Sequence, residues 1–289
     1  AWRMGGSKMY VQEGTKVVLE DLLRGIIIQS GNDASVAVAE HIAGTEDAFA
    51  DLMNQVAKQI GMKNSHFMNA TGWPHPEHYT TAQDLAILTQ RLIADFPQHY
   101  SMYSEKEFTY NNITQPNRNT LLRRDPTVDG VKTGHTEEAG YCLVSSKKED
   151  GMRLISVVMG TASEKIRENE SQSLLTYGFR FFETTTVFKP GEAIRKTKIW
   201  AGEVDSVDVS VASPVRLTLP RQASKNIVKD IKIDAPLIAP IKANQKIGTL
   251  RLTLEEKVMG EFPLIATQAV AEGSLWKRGW DNTLLYFTK

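Results

Sequence analysis

The 289 residues are 41% hydrophobic, enough for a sizeable core and about two domains at roughly 150 residues each. Lys and Arg number 34 against 34 Asp and Glu, so no bulk field draws nucleic acid or an acidic polymer. The single cysteine, Cys142, excludes an internal disulfide and a thiolate zinc site, and no apolar run approaches the ~18 residues of a membrane span.

In chain order, Lys8 to Val11 alternates and Gly14 marks a turn. Leu19, Leu22, Leu23 and Ile26 to Ile28 have helical spacing, which Ser30-Gly31-Asn32 interrupts. Ala34 to Ile42 reads as a buried helix stopping at Gly44. Thr45 reads as the N-cap of a helix over 46–60 with Phe49, Leu52, Met53, Val56 and Ile60 on its apolar face, ended by Gly61. Residues 62–80 are irregular, and a third helix over 81–95 stops before Pro97. Pro74 and Pro76 keep His75, Glu77 and His78 off the helix that a zinc motif needs, so no metal is expected. Trp73 and Phe179, Phe181 and Phe182 read as core.

Glu107–Tyr110 reads as a strand, 111–130 as a polar loop, and Lys132 as the opening of a further strand. Gly140–Ser146 and Arg153–Gly160 are strands joined by a turn over 147–151, with Cys142 a buried, inert thiol. A helix spans 164–182. Residues 1–182 are therefore α+β, with helices grouped apart from strands. Over 183–273, β-branched runs at 187–188, 194–200, 207–211, 215–219, 227–233 and 247–254 predict a small all-β, sandwich-like domain. In 274–289, Trp276, Trp280, Leu284 and Phe287 share one helical face with Lys277, Arg278, Asp281 and Lys289 supplying charge, a pattern that suits a membrane interface, the alternative being a terminal helix packed on its own domain.

Two short elements carry chemistry: Ser30-Gly31-Asn32 and Lys132-Thr133-Gly134. Alone, each is an ordinary turn or strand edge. Together they match two of the three elements of enzymes that acylate a serine, with Gly in place of Asp at the middle of the first. A serine is too weakly acidic to attack unaided, so a base must take its proton, and Ser30 can relay it. Asn32 can orient a substrate amide, Lys132 and Thr133 can bind a carboxylate, and Gly134 permits close backbone approach.

Gln29 to Ala34, Phe108 through Asn117-Arg118-Asn119, Asp129 to Thr136 and Gly178 to Glu183 resemble the low-molecular-mass penicillin-binding proteins, which are serine D-alanyl-D-alanine carboxypeptidases. The resemblance runs over nearly the whole chain. It implies a transpeptidase-like domain of the penicillin-binding/β-lactamase type over 1–182, a β-rich domain over 183–273 and an amphipathic anchor over 274–289. It implies Ser30 as proton relay, Asn32 as substrate-amide contact and Lys132 as the third catalytic residue, with Thr133, Gly134, His135, Arg118 and Arg167 binding substrate. No cofactor is implied. The implied partners are the peptidoglycan stem pentapeptide, β-lactams and the outer face of the inner membrane, in the periplasm.

The resemblance also implies a Ser-x-x-Lys nucleophile motif upstream of Ser30. Only Ser145 (with Lys148) and Ser274 (with Lys277) have that spacing, and both follow Lys132. With no initiator Met or apolar leader at Ala1, the expectation is an N-terminally truncated chain that is inactive by itself. The rival readings are a non-catalytic peptidoglycan-binding scaffold, suggested by the absent nucleophile, and a β-lactamase, for which the β-rich domain and tail have no use.

Overall fold

The computed structural model describes residues 1 and 3–287, so Thr288 and Lys289 of the predicted tail lie outside the described residues. The chain forms two units, Ala1–Arg180 and Phe181–Lys289.

In the first unit α1 (Leu19–Ile28) buries Ile27 and Ile28 against Met102. Next come α2 (Asn32–Ala43), α3 (Glu46–Ile60) and α4 (Ala82–Asp95). The predicted ends hold for physical reasons. Gly44 and Gly61 adopt φ of +82° and +93°, and Thr45 Oγ1 and Thr81 Oγ1 accept the amides of Ala48 and Asp84 at 3.1 and 3.2 Å. The predicted apolar face of α3 is not its core: Ala50 and Ala57 are buried while Leu52 and Val56 are exposed, as is Ile42 of α2. Residues 8–11 alternate in burial without joining a ladder; Met9 is buried and Tyr10 exposed.

The segment expected as one polar loop holds more structure. β1 (Glu107–Tyr110) pairs with β2 (Ile113–Pro116), and a short helix α5 (Leu121–Arg124) buries Leu121 and Leu122. β3 (Val128–Thr136), β4 (Gly140–Glu149) and β5 (Met152–Thr161) form an antiparallel sheet in that order. Lys132 therefore lies mid-strand on the β3 edge rather than opening it. Helix α6 (Glu164–Phe181) contributes Leu175 to a core with Leu143, Val128, Leu121 and Leu122. Each such fully buried side chain adds roughly 1.5–3 kcal/mol.

The second unit is β-rich, as its sequence predicts. β6 (Phe182–Phe188) pairs with β9 (Val215–Pro220). A five-stranded sheet runs β10 (Val228–Ile233), β11 (Lys246–Leu254), β12 (Lys257–Ala266), β8 (Ser206–Val211) and β7 (Arg195–Lys198). Strand β12 was not expected. Val209, Leu219, Leu250, Leu252 and Leu264 are fully buried in one core. Helix α7 (Leu275–Phe287) closes the described chain, and no described helix is long and apolar enough to cross a membrane.

Candidate active site

Ser30 stands between α1 and α2 with φ of +58°, a left-handed conformation that costs a residue with a β-carbon of order 1 kcal/mol or more. Its neighbours hold it there. The amides of Gln29 and Gly31 both donate to the Gly25 carbonyl at 3.2 and 3.0 Å, and the Asn32 amide donates to Ser7 O at 2.9 Å. Gln29 Nε2 donates to Phe108 O at 3.2 Å. The conformation turns the Ser30 hydroxyl toward β3, where Lys132 Nζ donates to Ser30 Oγ at 2.6 Å and to Thr133 O at 2.9 Å. The two motifs, 102 residues apart, thus meet in one hydrogen bond.

The Lys132 ammonium is pushed down to about 8, first by burial and then by the charges of Arg118 and Arg167. Arg118 is exposed, whereas Arg167 is buried at 2% exposure despite its polar sequence neighbours. Arg167 Nη1 reaches the Gly134 carbonyl at 3.4 Å, Nη2 lies 3.6 Å from Glu164, and the guanidinium sits 5.6 Å over the Tyr141 ring. Three cations therefore converge on one strand edge, a field that favours an anion.

Asn32 opens α2, and its Nδ2 donates to Gly5 O at 2.9 Å. Asp33 beside it is buried and accepts the amides of Met9 at 2.8 Å, Val11 at 2.9 Å and Ala34 at 3.0 Å. Thr133 is buried, while Gly134 and His135 are exposed. A β-carbon on Gly134 would meet nothing closer than Cys142 Cβ at 4.0 Å, so the fold itself does not require glycine there. His135 stacks on Tyr141, its cross-strand partner, with ring centroids 4.0 Å apart.

Beneath β3, Arg153 grips Asp129 with two bonds of 2.8 and 2.7 Å. Tyr100 Oη lies 3.4 Å from the same carboxylate, and burial pushes its hydroxyl up to about 12. Asn119 Nδ2 donates to Gly130 O at 3.0 Å, and a β-carbon on Gly130 would collide with Tyr100 Oη. This polar layer sets the strand two residues before Lys132.

Several expectations need correction. Cys142 is only partly buried, with Sγ 3.4 Å from Ala139 O. Trp73 is half-exposed rather than core, and its indole flanks the Gly5-Gly6 segment that touches Asn32. Phe181 is likewise half-exposed. Tyr141 and the Asp129–Arg153 pair were not singled out from sequence; a β3–β4 hairpin register would have placed Tyr141 opposite His135. Neither serine with Ser-x-x-Lys spacing is in the site. Ser145 is fully buried on β4, and Ser274 precedes α7, where its Oγ accepts the Lys277 amide at 3.4 Å.

Comparison with known proteins gives a consistent result. Residues 1–163 match the D-alanyl-D-alanine carboxypeptidase family, and residues 182–272 match the C-terminal domain of penicillin-binding protein 5. The chain is 43% identical to D-alanyl-D-alanine carboxypeptidase DacC of Escherichia coli, over 98% of this chain and 71% of that protein. Penicillin-binding protein 5 from Haemophilus influenzae superposes with a TM-score of 0.81 at 41% identity, covering 92% of this chain and 78% of that one. Penicillin-binding protein D2 from Listeria monocytogenes in its ampicillin-bound form aligns with a TM-score of 0.57 at 28% identity, over 61% of this chain and 74% of that one.

Proposed function

The chain belongs to the D-alanyl-D-alanine carboxypeptidase family of serine-type hydrolases, and on that premise we propose that Ser30, Asn32 and Lys132 are catalytic and that Thr133, Gly134, His135, Arg118 and Arg167 hold the substrate. The reaction removes the terminal D-alanine of a peptidoglycan stem peptide. A serine oxygen attacks the D-Ala-D-Ala carbonyl, the C–N bond breaks, and water then hydrolyses the ester. A β-lactam acylates the same serine as its ring C–N bond opens, and water hydrolyses that ester only slowly. The single observation carrying this reading is the 2.6 Å bond from Lys132 Nζ to Ser30 Oγ.

Each residue's share follows from its place. The resemblance puts the attacking serine in a Ser-x-x-Lys motif upstream of Ser30, which these residues would serve. Ser30 Oγ takes up the proton that the attacking serine loses and hands one on to the departing D-alanine nitrogen, so it stays a hydroxyl, and the Lys132 ammonium steadies its oxygen during the transfer. Asn32 has its amide N–H tied to Gly5, leaving its oxygen to accept a substrate N–H. Gly134 lets the peptide lie against β3. Arg118 meets the terminal carboxylate, and Arg167 braces the Gly134 carbonyl while adding its charge. We assign catalysis to 1–182, leaving 183–273 as the β-rich domain and 274–289 as a helix lying on the outer face of the inner membrane, in the periplasm.

Fluorescent-penicillin labelling of the full-length protein across pH tests the assignment. Lys132 must be charged to hold a carboxylate, so the acylation rate should fall as pH rises through about 8. A bound carboxylate favours the ammonium, so the limb should move to higher pH at saturating ligand. Lys132→Arg should lose this limb, because a guanidinium stays charged. Failure to label at any pH would sink the proposal.

A further inference from the structure

The two sides of α7 carry opposite commitments. Leu275, Trp276, Trp280, Tyr286 and Phe287 are 82, 91, 68, 81 and 79% exposed, an aromatic surface with no charge in it. The charged side faces its own β-rich unit. Lys277 Nζ is 2.6 Å from Asp205 Oδ1, Arg278 Nη1 is 2.5 Å from Glu272 Oε2, and Asp281 Oδ2 accepts the Ala201 amide at 2.8 Å. The hydrogen bond from Lys277 holds the Asp205 carboxyl below its usual range.

We infer that α7 engages a lipid surface through its aromatic face alone, with Lys277 and Arg278 serving the fold, so that attachment requires no anionic lipid. The inference rests on the reading of residues 274–289 as a membrane-surface helix and names the lipid chemistry. An unpaired Lys or Arg near an anionic bilayer contributes about 1 kcal/mol. Here each cation carries a carboxylate that the same lipid charge repels, and Asp281 adds a third negative charge, so that contribution cancels. What remains is burial of Trp, Leu and Phe at the interface, which is indifferent to headgroup charge. A lipid rather than a protein fits the face. It is the convex side of one helix with exposed Trp at two successive turns, and it offers a partner no ion pair to fix its register.

Co-sedimentation of the full chain with vesicles tests this, using phosphatidylcholine alone or mixed with phosphatidylglycerol, at low and high salt. The expected partition is equal on both within about twofold, unmoved by salt, and lost on both in Trp276→Ser/Trp280→Ser. Asp205→Asn with Glu272→Gln, both at exposed positions, should free the two cations. It should raise binding roughly tenfold on the mixed vesicles only, at low salt only. Wild-type binding confined to mixed vesicles and abolished by salt would overturn the inference while leaving the membrane reading intact. No binding to either vesicle, or self-association through the two Trp residues instead, would overturn both.

Discussion

Lys132→Ala in the full-length protein should lower the acylation rate by penicillin about a thousandfold without destabilising the fold. The ammonium donates at 2.6 Å to Ser30 Oγ, and removing one such donor from a catalytic site costs about 10²–10³ in rate. On the proposed assignment the variant also removes one of the three cations, Lys132, Arg118 and Arg167, gathered at this strand edge. Stability should move the other way. The folded environment pushes Lys132 from 10.5 down to about 8, so burial and the two arginines outweigh its hydrogen bonds. The sign follows: the cost of holding a charged lysine is fully present below pH 8 and is relieved as pH rises toward 10.5. Wild type should therefore gain stability over that window, and Lys132→Ala should not. Thermal melts at pH 7 and pH 10 beside labelling rates check both halves. Full labelling of the alanine variant would remove Lys132 from the mechanism.

Asp33→Ala should be the most destabilising change near the site. One buried carboxylate accepts three amides, tying residues 9–11 to the start of α2. Its loss strands those donors, at about 1–3 kcal/mol each where they stay dry, so a loss of about 3 kcal/mol or more is expected. In a unit of this size that lowers Tm by roughly 10 °C. Asp33→Asn keeps an acceptor and should recover part of the loss. Because Asn32 is the adjacent residue, labelling of the alanine variant should also slow. A melt within a degree or two of wild type would show that water replaces the carboxylate.

Local chemistry was legible from sequence and tertiary chemistry was not. Gly44, Thr45 and Gly61 announce helix ends because capping is decided within a few residues, whereas Thr81, read as the first residue of its helix, is the N-cap. Strand β12 was hidden because Gly260, Glu261 and Pro263 break its alternation, and its ladder with β11 supplies what the pattern lacks. Strand β2 is mostly exposed and shows no apolar period. Arg167 sits among Glu164, Lys165 and Glu168 and reads as surface; its burial depends on Tyr141 and Gly134, more than twenty residues away. The Ser30 and Lys132 motifs were readable as strings, and resemblance linked them. Their bond depends on the left-handed Ser30 and on the Asp129–Arg153 layer under β3. The charges beside Trp276 looked available to lipid because Asp205 and Glu272, which hold them, lie outside the helix.

In the proposed carboxypeptidase Lys132 holds the peptide and Ser30 relays a proton. The most direct measurement compares, in the full-length protein, release of D-alanine from a D-Ala-D-Ala peptide with turnover of penicillin. The predicted result is steady D-alanine release, slow penicillin turnover with a persistent ester, and loss of both reactions in Ser30→Ala. Rapid penicillin hydrolysis without D-alanine release would identify a β-lactamase instead, and peptide binding with neither reaction would identify a scaffold.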